Sequence, residues 1–142
     1  MMATWRPCSR RILIVEDEVL LAENISVFLT AGGAEVVIAH CGEDALPAAE
    51  GMDPQCVIVD YNLPGMDGIQ TLLRIRERHP RVHGVLITGQ GSEAVLTAAR
   101  AQGIAHVLMK PFALPDLANC VCANPLWMAL SATPAGQTQT PA

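Results

Sequence analysis

Four places in this chain carry side chains able to hold a cation or move a charged group. They are the acidic run Glu16, Asp17 and Glu18, the carboxylate of Asp60, the hydroxyl of Thr88 and the ammonium of Lys110, the only lysine present. Brought together, the carboxylates would repel by roughly 1–4 kcal/mol per pair at about 4 Å, depending on the effective dielectric. One lysine cannot neutralise them, so such a cluster needs a protonated member or a divalent cation. Oxygen-only donors beside an open position suit Mg2+, which prefers a few carboxylates, waters and phosphate oxygens. With a hydroxyl and a fixed ammonium added, the set can bind a transferring phosphoryl group. A carboxylate would then supply the attacking oxygen. Each residue also has a plainer reading: acids as helix-start charges, Asp60 as a loop anchor, Thr88 as a strand end, Lys110 as a surface tip. Only a shared location separates the two.

The elements that would position these groups are legible from apolar runs and breakers. Val57, Ile58 and Val59 form an uninterrupted β-branched run, read as a strand buried on both faces, which ends on Asp60 and breaks at Leu63, Pro64 and Gly65. Arg11 to Val15 is a second wholly apolar strand and runs into the acids. A helix follows with Leu21, Ile25, Phe28 and Leu29 on one face, stopping at Gly32 and Gly33. Glu35 to His40 reads as a strand, and Gly42 to Gly51 as a helix containing Pro47. Proline inside a helix costs roughly 3 kcal/mol, so this helix is expected to be short or kinked. Ile69, Leu72, Leu73 and Ile75 mark a helix ending before Pro80, and Val82 to Thr88 is the fourth strand. Ser92 to Gln102 is an Ala-rich helix with Ser92 as its cap, and Gly103 stops it. Ile104 to Lys110 is the fifth strand, closed by Pro111; Leu114, Leu117, Ala118 and Val121 allow one last helix, ended by Pro125. Strands alternating with helices imply an α/β doubly wound parallel sheet with right-handed crossovers. Strand order is not readable from periodicity. It decides the chemistry, because every polar candidate lies at a strand's carboxyl end, where open α/β sheets bind ligands.

Composition narrows the class. A chain of 142 residues with 51% hydrophobic content suits one compact domain. Its net charge of −5 argues against a general nucleic-acid footprint. The five cysteines are odd in number and lack metal-ligand spacing, as expected of reduced thiols in a cytoplasmic protein. No apolar run reaches membrane-spanning length and the N-terminus has no signal-peptide core.

Four segments in register, IVEDE, VDYNLPGMDG, LITG and MKPF, resemble the receiver domain of bacterial response regulators, of CheY-like type, over about Arg11 to Val121. The resemblance implies a flavodoxin-like, five-stranded parallel sheet in the order 2-1-3-4-5, for which a family member is a standard example. It divides the chain into a flexible leader (1–9), the receiver (10–123) and a short, mostly disordered tail (124–142). Asp60 matches the phosphoacceptor. Glu16 and Asp17 match the acidic pair that holds Mg2+ together with Asp60, with the backbone carbonyl of Asn62 as a further ligand. Thr88 matches the hydroxyl that binds the phosphoryl group and moves on activation, and Lys110 the lysine that pairs with it, with a cis bond to Pro111. The implied donor is a phosphohistidine on a sensor histidine kinase or histidine phosphotransfer protein; small phosphodonors could replace it, since the receiver supplies much of the catalysis. The implied output is a downstream protein target. Glu18 has no family role and reads as a helix-start charge.

The departures are specific. The aromatic expected three residues before the lysine is Val107, and the adjacent His106 should face the other side of the sheet. Coupling to output is therefore in question. The apolar patch Leu126, Trp127, Met128 and Leu130 is expected to pack on the chain's own surface, with a homodimer contact or a frayed end as alternatives. No DNA-binding module is read after residue 123, so a stand-alone switch or phosphorelay carrier leads. An aspartyl-nucleophile phosphohydrolase would want a carboxylate where Asn62 stands. A flavodoxin-like cofactor binder would want a Ser/Thr/Gly-rich loop after the first strand, where the acids are. A receiver fragment of a hybrid kinase remains open. Amides at Asn62 and Gln90, two residues after the acceptor and two after the threonine, are suited to orienting a hydrolytic water. The phosphorylated form should accordingly decay over seconds to minutes, measured by loss of the acid-labile label; a lifetime of a day would contradict that reading.

Overall fold

The computed structural model describes residues 11–89 and 93–122. The leader, the tail with its 126–130 patch, the Ser92 cap and Gln90 therefore lie outside the described residues. Within them, β1 (Arg11–Val15), α1 (Val19–Ala31), β2 (Glu35–Ala39), α2 (Gly42–Met52), β3 (Cys56–Asp60), α3 (Gly68–Arg78), β4 (His83–Thr88), α4 (Glu93–Ala101), β5 (His106–Met109) and α5 (Leu114–Cys122) alternate strictly. The five strands are parallel and ordered β2-β1-β3-β4-β5, as the family resemblance implies.

Alternation of side chains along each strand sorts the core into two layers. Leu13, Val15, Val57, Val59 and Leu86 face one side and pack against Ala45 and Ala49 of α2, Leu72 and Ile75 of α3, and Val95 and Ala99 of α4. Ile12, Ile14, Ile58, Val85 and Ile87 face the other, against Ala22, Ile25 and Leu29 of α1 and Leu117 and Val121 of α5. β3 is buried along its whole length, which is why its sequence shows no polar alternation. His83, on the same strand face as Val85 and Ile87, is also buried. Its Nε2–H donates to the Cys120 carbonyl at 2.8 Å, which fixes the tautomer, and its ring meets His106 edge-on at 5.1 Å.

Two element boundaries differ from those read in the sequence. The helix containing Pro47 is not short: α2 runs through Met52, one residue beyond the span read from the sequence. The proline ring is exposed while Ala45 and Ala49 are buried, so it forfeits a backbone bond without disturbing the packed face. β5 is shorter than the run from Ile104 to Lys110. The N–H of Ile104 is spent on the carbonyl of Ala99 at 2.9 Å, closing α4, and is withdrawn from the ladder.

The turn after β3 is held by hydrogen bonds at both ends. Tyr61 donates its N–H to Ile87 at 2.7 Å and accepts from the N–H of Gly68 at 2.9 Å. Asp67 then starts α3 with a reciprocal cap, its carboxylate accepting from the Gln70 N–H at 2.9 Å while the Gln70 side chain accepts from the Asp67 N–H at 3.1 Å. Gly68 packs so tightly that a Cβ there would overlap the carbonyl oxygen of Asp60 and crowd the Cα of Tyr61. Gly68→Ala should lower the unfolding free energy by about 1–3 kcal/mol. Gly84→Ala should cost less, because the atoms it would meet belong to the Leu72 side chain, which can turn. Urea midpoints of the two variants test the order.

Candidate functional site

Register places the functional side chains. Val15 pairs with Val59, so the residues that follow, Glu16 and Asp60, emerge side by side at the carboxyl ends of β1 and β3. Asp60 lies opposite Ile87, which puts Thr88 one residue further along β4, and Thr88 lies opposite Met109, which leads into Lys110. The Lys110 N–H donates to the Thr88 carbonyl at 2.9 Å, tying the two chain segments together beside the crevice. The Lys110–Pro111 bond is cis, as the resemblance implies.

Glu16, Asp17 and Asp60 each offer a carboxylate oxygen, and all three oxygens lie within 4.8 Å of one another. Glu16 and Asp60 are buried, whereas Asp17 is exposed. The Lys110 ammonium stands 3.1 Å from Asp60 Oδ2, 3.3 Å from Glu16 Oε1 and 3.6 Å from Glu18 Oε2. Asp60 Oδ1 accepts from the Asn62 N–H at 3.3 Å. Glu16 Oε2 accepts from the Glu18 N–H at 3.1 Å, while the Nδ1–H of His40 donates to the Glu16 backbone carbonyl at 2.9 Å. Glu16 Oε1 is buried and makes no hydrogen bond, its approach to Lys110 having ion-pair distance but not bonding geometry. A buried oxygen with a lone pair to spare, next to two more carboxylates, is what a hard divalent cation would satisfy.

Titration reflects this crowding. Burial, reinforced by the neighbouring Asp60, raises the Glu16 carboxyl from its ordinary 4.5 to about 7, against the pull of the Glu18 N–H and Lys110. Burial alone would lower Lys110, but its hydrogen bond to Asp60 and the charge of Glu16 outweigh that and hold it above its ordinary value.

The geometry thus gathers Glu16, Asp17, Asp60 and Lys110 at one point. It sets Thr88 fully buried at the adjoining strand end and the Asn62 backbone against Asp60. Val107 packs with the α2–α4 layer and His106 with His83 on the other, as alternation predicts. Glu18 is the residue that sequence reasoning undervalued. It does stand at the helix start, but its carboxylate caps no α1 amide and lies instead beside Lys110. The signal was present in its adjacency to two acids; what could not be read was the direction of the side chain.

Residues 12–121 match the family model for the response regulator receiver domain. The chain belongs to this family. It is 39% identical over 116 residues to response regulator protein FleR of Pseudomonas aeruginosa, covering 82% of this chain and 24% of that protein. It is 36% identical over 108 residues to the response regulator receiver protein Anae109_2439 of Anaeromyxobacter sp., covering 76% and 45%. The chain therefore spans less than half the length of these relatives. The crystal structure of a CheY-like receiver domain protein from Methanospirillum hungatei superposes with a TM-score of 0.77 at 24% identity, covering 87% of this chain and 97% of that one.

For this receiver the raised Glu16 carboxyl has a measurable consequence. A group that holds its proton more tightly when folded contributes stability fully below its unfolded value, near 4.5, and loses it as pH rises through about 7. Without divalent cation, wild type should therefore lose roughly 2–3 kcal/mol more than Glu16→Gln between pH 4.5 and 8. Burial pushes the His83 imidazole down to about 4, and it titrates in the opposite sense, but it is common to both proteins and cancels in the difference. Urea unfolding across that range is the measurement; equal pH profiles would refute the assignment.

Proposed function

We propose that this receiver accepts a phosphoryl group on Asp60 from a phosphohistidine of a sensor histidine kinase or histidine phosphotransfer protein, and signals to a downstream protein target by switching or relay. The observation that carries this reading is the Lys110 ammonium 3.1 Å from a buried Asp60 that shares its crevice with Glu16 and Asp17. Those three carboxylates, with the Asn62 carbonyl, would hold Mg2+. When bound, the ion offsets charge on the phosphoryl oxygens. Residues 10–123 are the working unit of the proposal, acting in the cytoplasm. No helix among the described residues is long and apolar enough to cross a membrane.

The chain's own groups divide the work. The Asn62 N–H and Lys110 each bind one oxygen of Asp60, which orients the carboxylate before the donor arrives. An Asp60 oxygen lone pair forms the bond to phosphorus as the phosphorus–nitrogen bond of the donor breaks and imidazole leaves. Lys110 then pairs with a phosphoryl oxygen, and the Thr88 hydroxyl takes another, drawing the end of β4 inward. In this reading the receiver catalyses its own phosphorylation and, with water as the second nucleophile, its own return. The same crevice serves equally well in a module of a longer protein, a second reading favoured by the fraction of its relatives that this chain spans.

Asp60→Asn should abolish labelling by acetyl phosphate with Mg2+ on a phosphate-affinity gel; full retention would move the acceptor elsewhere. Lys110→Arg should fail to reproduce the wild-type amide spectral change on beryllofluoride loading, because a planar fork does not fit where a point charge did. A wild-type response would make Lys110 a surface tip.

A further inference from the structure

The arrangement of Glu18 has no place in the chemistry above. It occupies the N-cap position of α1, where an acidic side chain ordinarily accepts from an amide of the first turn. Here it makes no such bond. Its side chain, 62% exposed, lies 3.6 Å from the Lys110 ammonium, which is itself only 19% exposed. The backbone of the same residue is pinned, its N–H donating to Glu16 Oε2 at 3.1 Å. An exposed carboxylate that caps no helix amide therefore stands beside the ammonium that holds Asp60.

We infer that Glu18 selects phosphodonors by net charge, disfavouring those that carry minus two over those whose leaving group carries a compensating positive charge. This rests on Asp60 being the acceptor. Among the described residues four carboxylates (Glu16, Asp17, Glu18 and Asp60) share this crevice with one ammonium. Three of them bring oxygens within 4.8 Å of one another, as a shared cation would need; Glu18 stands outside that group, beside Lys110. Glu18 and Asp60 both approach the Lys110 ammonium; a negative charge within about 7 Å of the acceptor, at the high effective dielectric of an exposed rim, changes the approach of one extra donor charge by about threefold. A phosphohistidine, whose imidazole can carry a proton, escapes much of that penalty. So does phosphoramidate, which holds a protonated nitrogen and a net charge of minus one. Acetyl phosphate, a dianion near neutral pH, does not. In either reaction the Asp60 oxygen–phosphorus bond forms as the bond to the leaving group breaks. The electron pair departs with acetate in one case, and in the other with the already protonated nitrogen, which leaves as ammonia.

The test is the ratio of labelling rates with acetyl phosphate and with phosphoramidate, measured on the full chain with Mg2+ saturating for each variant by calorimetry. Glu18→Gln should raise that ratio about threefold at low ionic strength and Glu18→Lys further. The gain should collapse in about 0.5 M salt, where the screening length falls to a few ångströms. Glu35→Gln removes an exposed acid at the opposite end of the sheet and should leave the ratio unchanged. Both donors speeding up equally, a ratio unmoved by Glu18→Lys, or the same shift in Glu35→Gln would overturn the inference. Wild-type labelling that is absent with both donors, or that survives Asp60→Asn, would instead overturn the acceptor assignment and the inference with it.

Discussion

Like charges held close in a partly dry crevice are the constraint on which this structure turns. Glu16 and Asp60 are buried at adjacent strand ends, with Asp17 near enough for all three to share one ion, and Lys110 alone opposes them. Such a set is tolerable only with a proton on one member or a cation among them. The raised Glu16 carboxyl is the first solution, adopted by the chain by itself. Metal binding would be the second, returning the carboxylates to the charged state that the proposed phosphoryl transfer needs.

The fold exists, in functional terms, to enforce that proximity. β1 and β3 lie side by side under helices on both faces, and their residues from Ile12 to Val15 and from Cys56 to Val59 are fully buried. Sliding either strand would turn its apolar side chains toward the wrong layer, so the register is stiff. The turn from Tyr61 to Gly68 is bonded back onto itself and onto β4, leaving the Asp60 backbone little freedom. The β5 side of the sheet is less deeply buried. β5 has four residues and is only partly covered, and Val107 there offers a small aliphatic side chain where relatives of this family usually present a ring. A movement of Thr88 would thus have to travel through β4–β5 packing rather than through a swinging aromatic.

How much of this was legible beforehand follows from the physics of each signal. Continuous β-branched runs ending on polar residues gave away the strands and the end of the sheet that carries the site. The two-layer core followed from alternation, and His106 and Val107 indeed part to opposite faces. Strand order was not contained in periodicity at all; it came through family likeness in the motifs. Tertiary competition for single hydrogen bonds set the boundaries, as when Ile104 gave its N–H to α4. The span of α2 depended on which way Pro47 faced, a three-dimensional fact. The Asp67–Gln70 cap has a readable spacing, whereas the turn of Glu18 away from its helix and toward Lys110 has none.

Calorimetric titration with Mg2+ tests the central claim most directly. The account predicts one ion per chain, with binding strengthened as pH rises through about 7 and Glu16 gives up its proton, and lost in Asp17→Asn and in Asp60→Asn. Binding that persists unchanged in both variants, or that is absent from the wild type at pH 8, would contradict it.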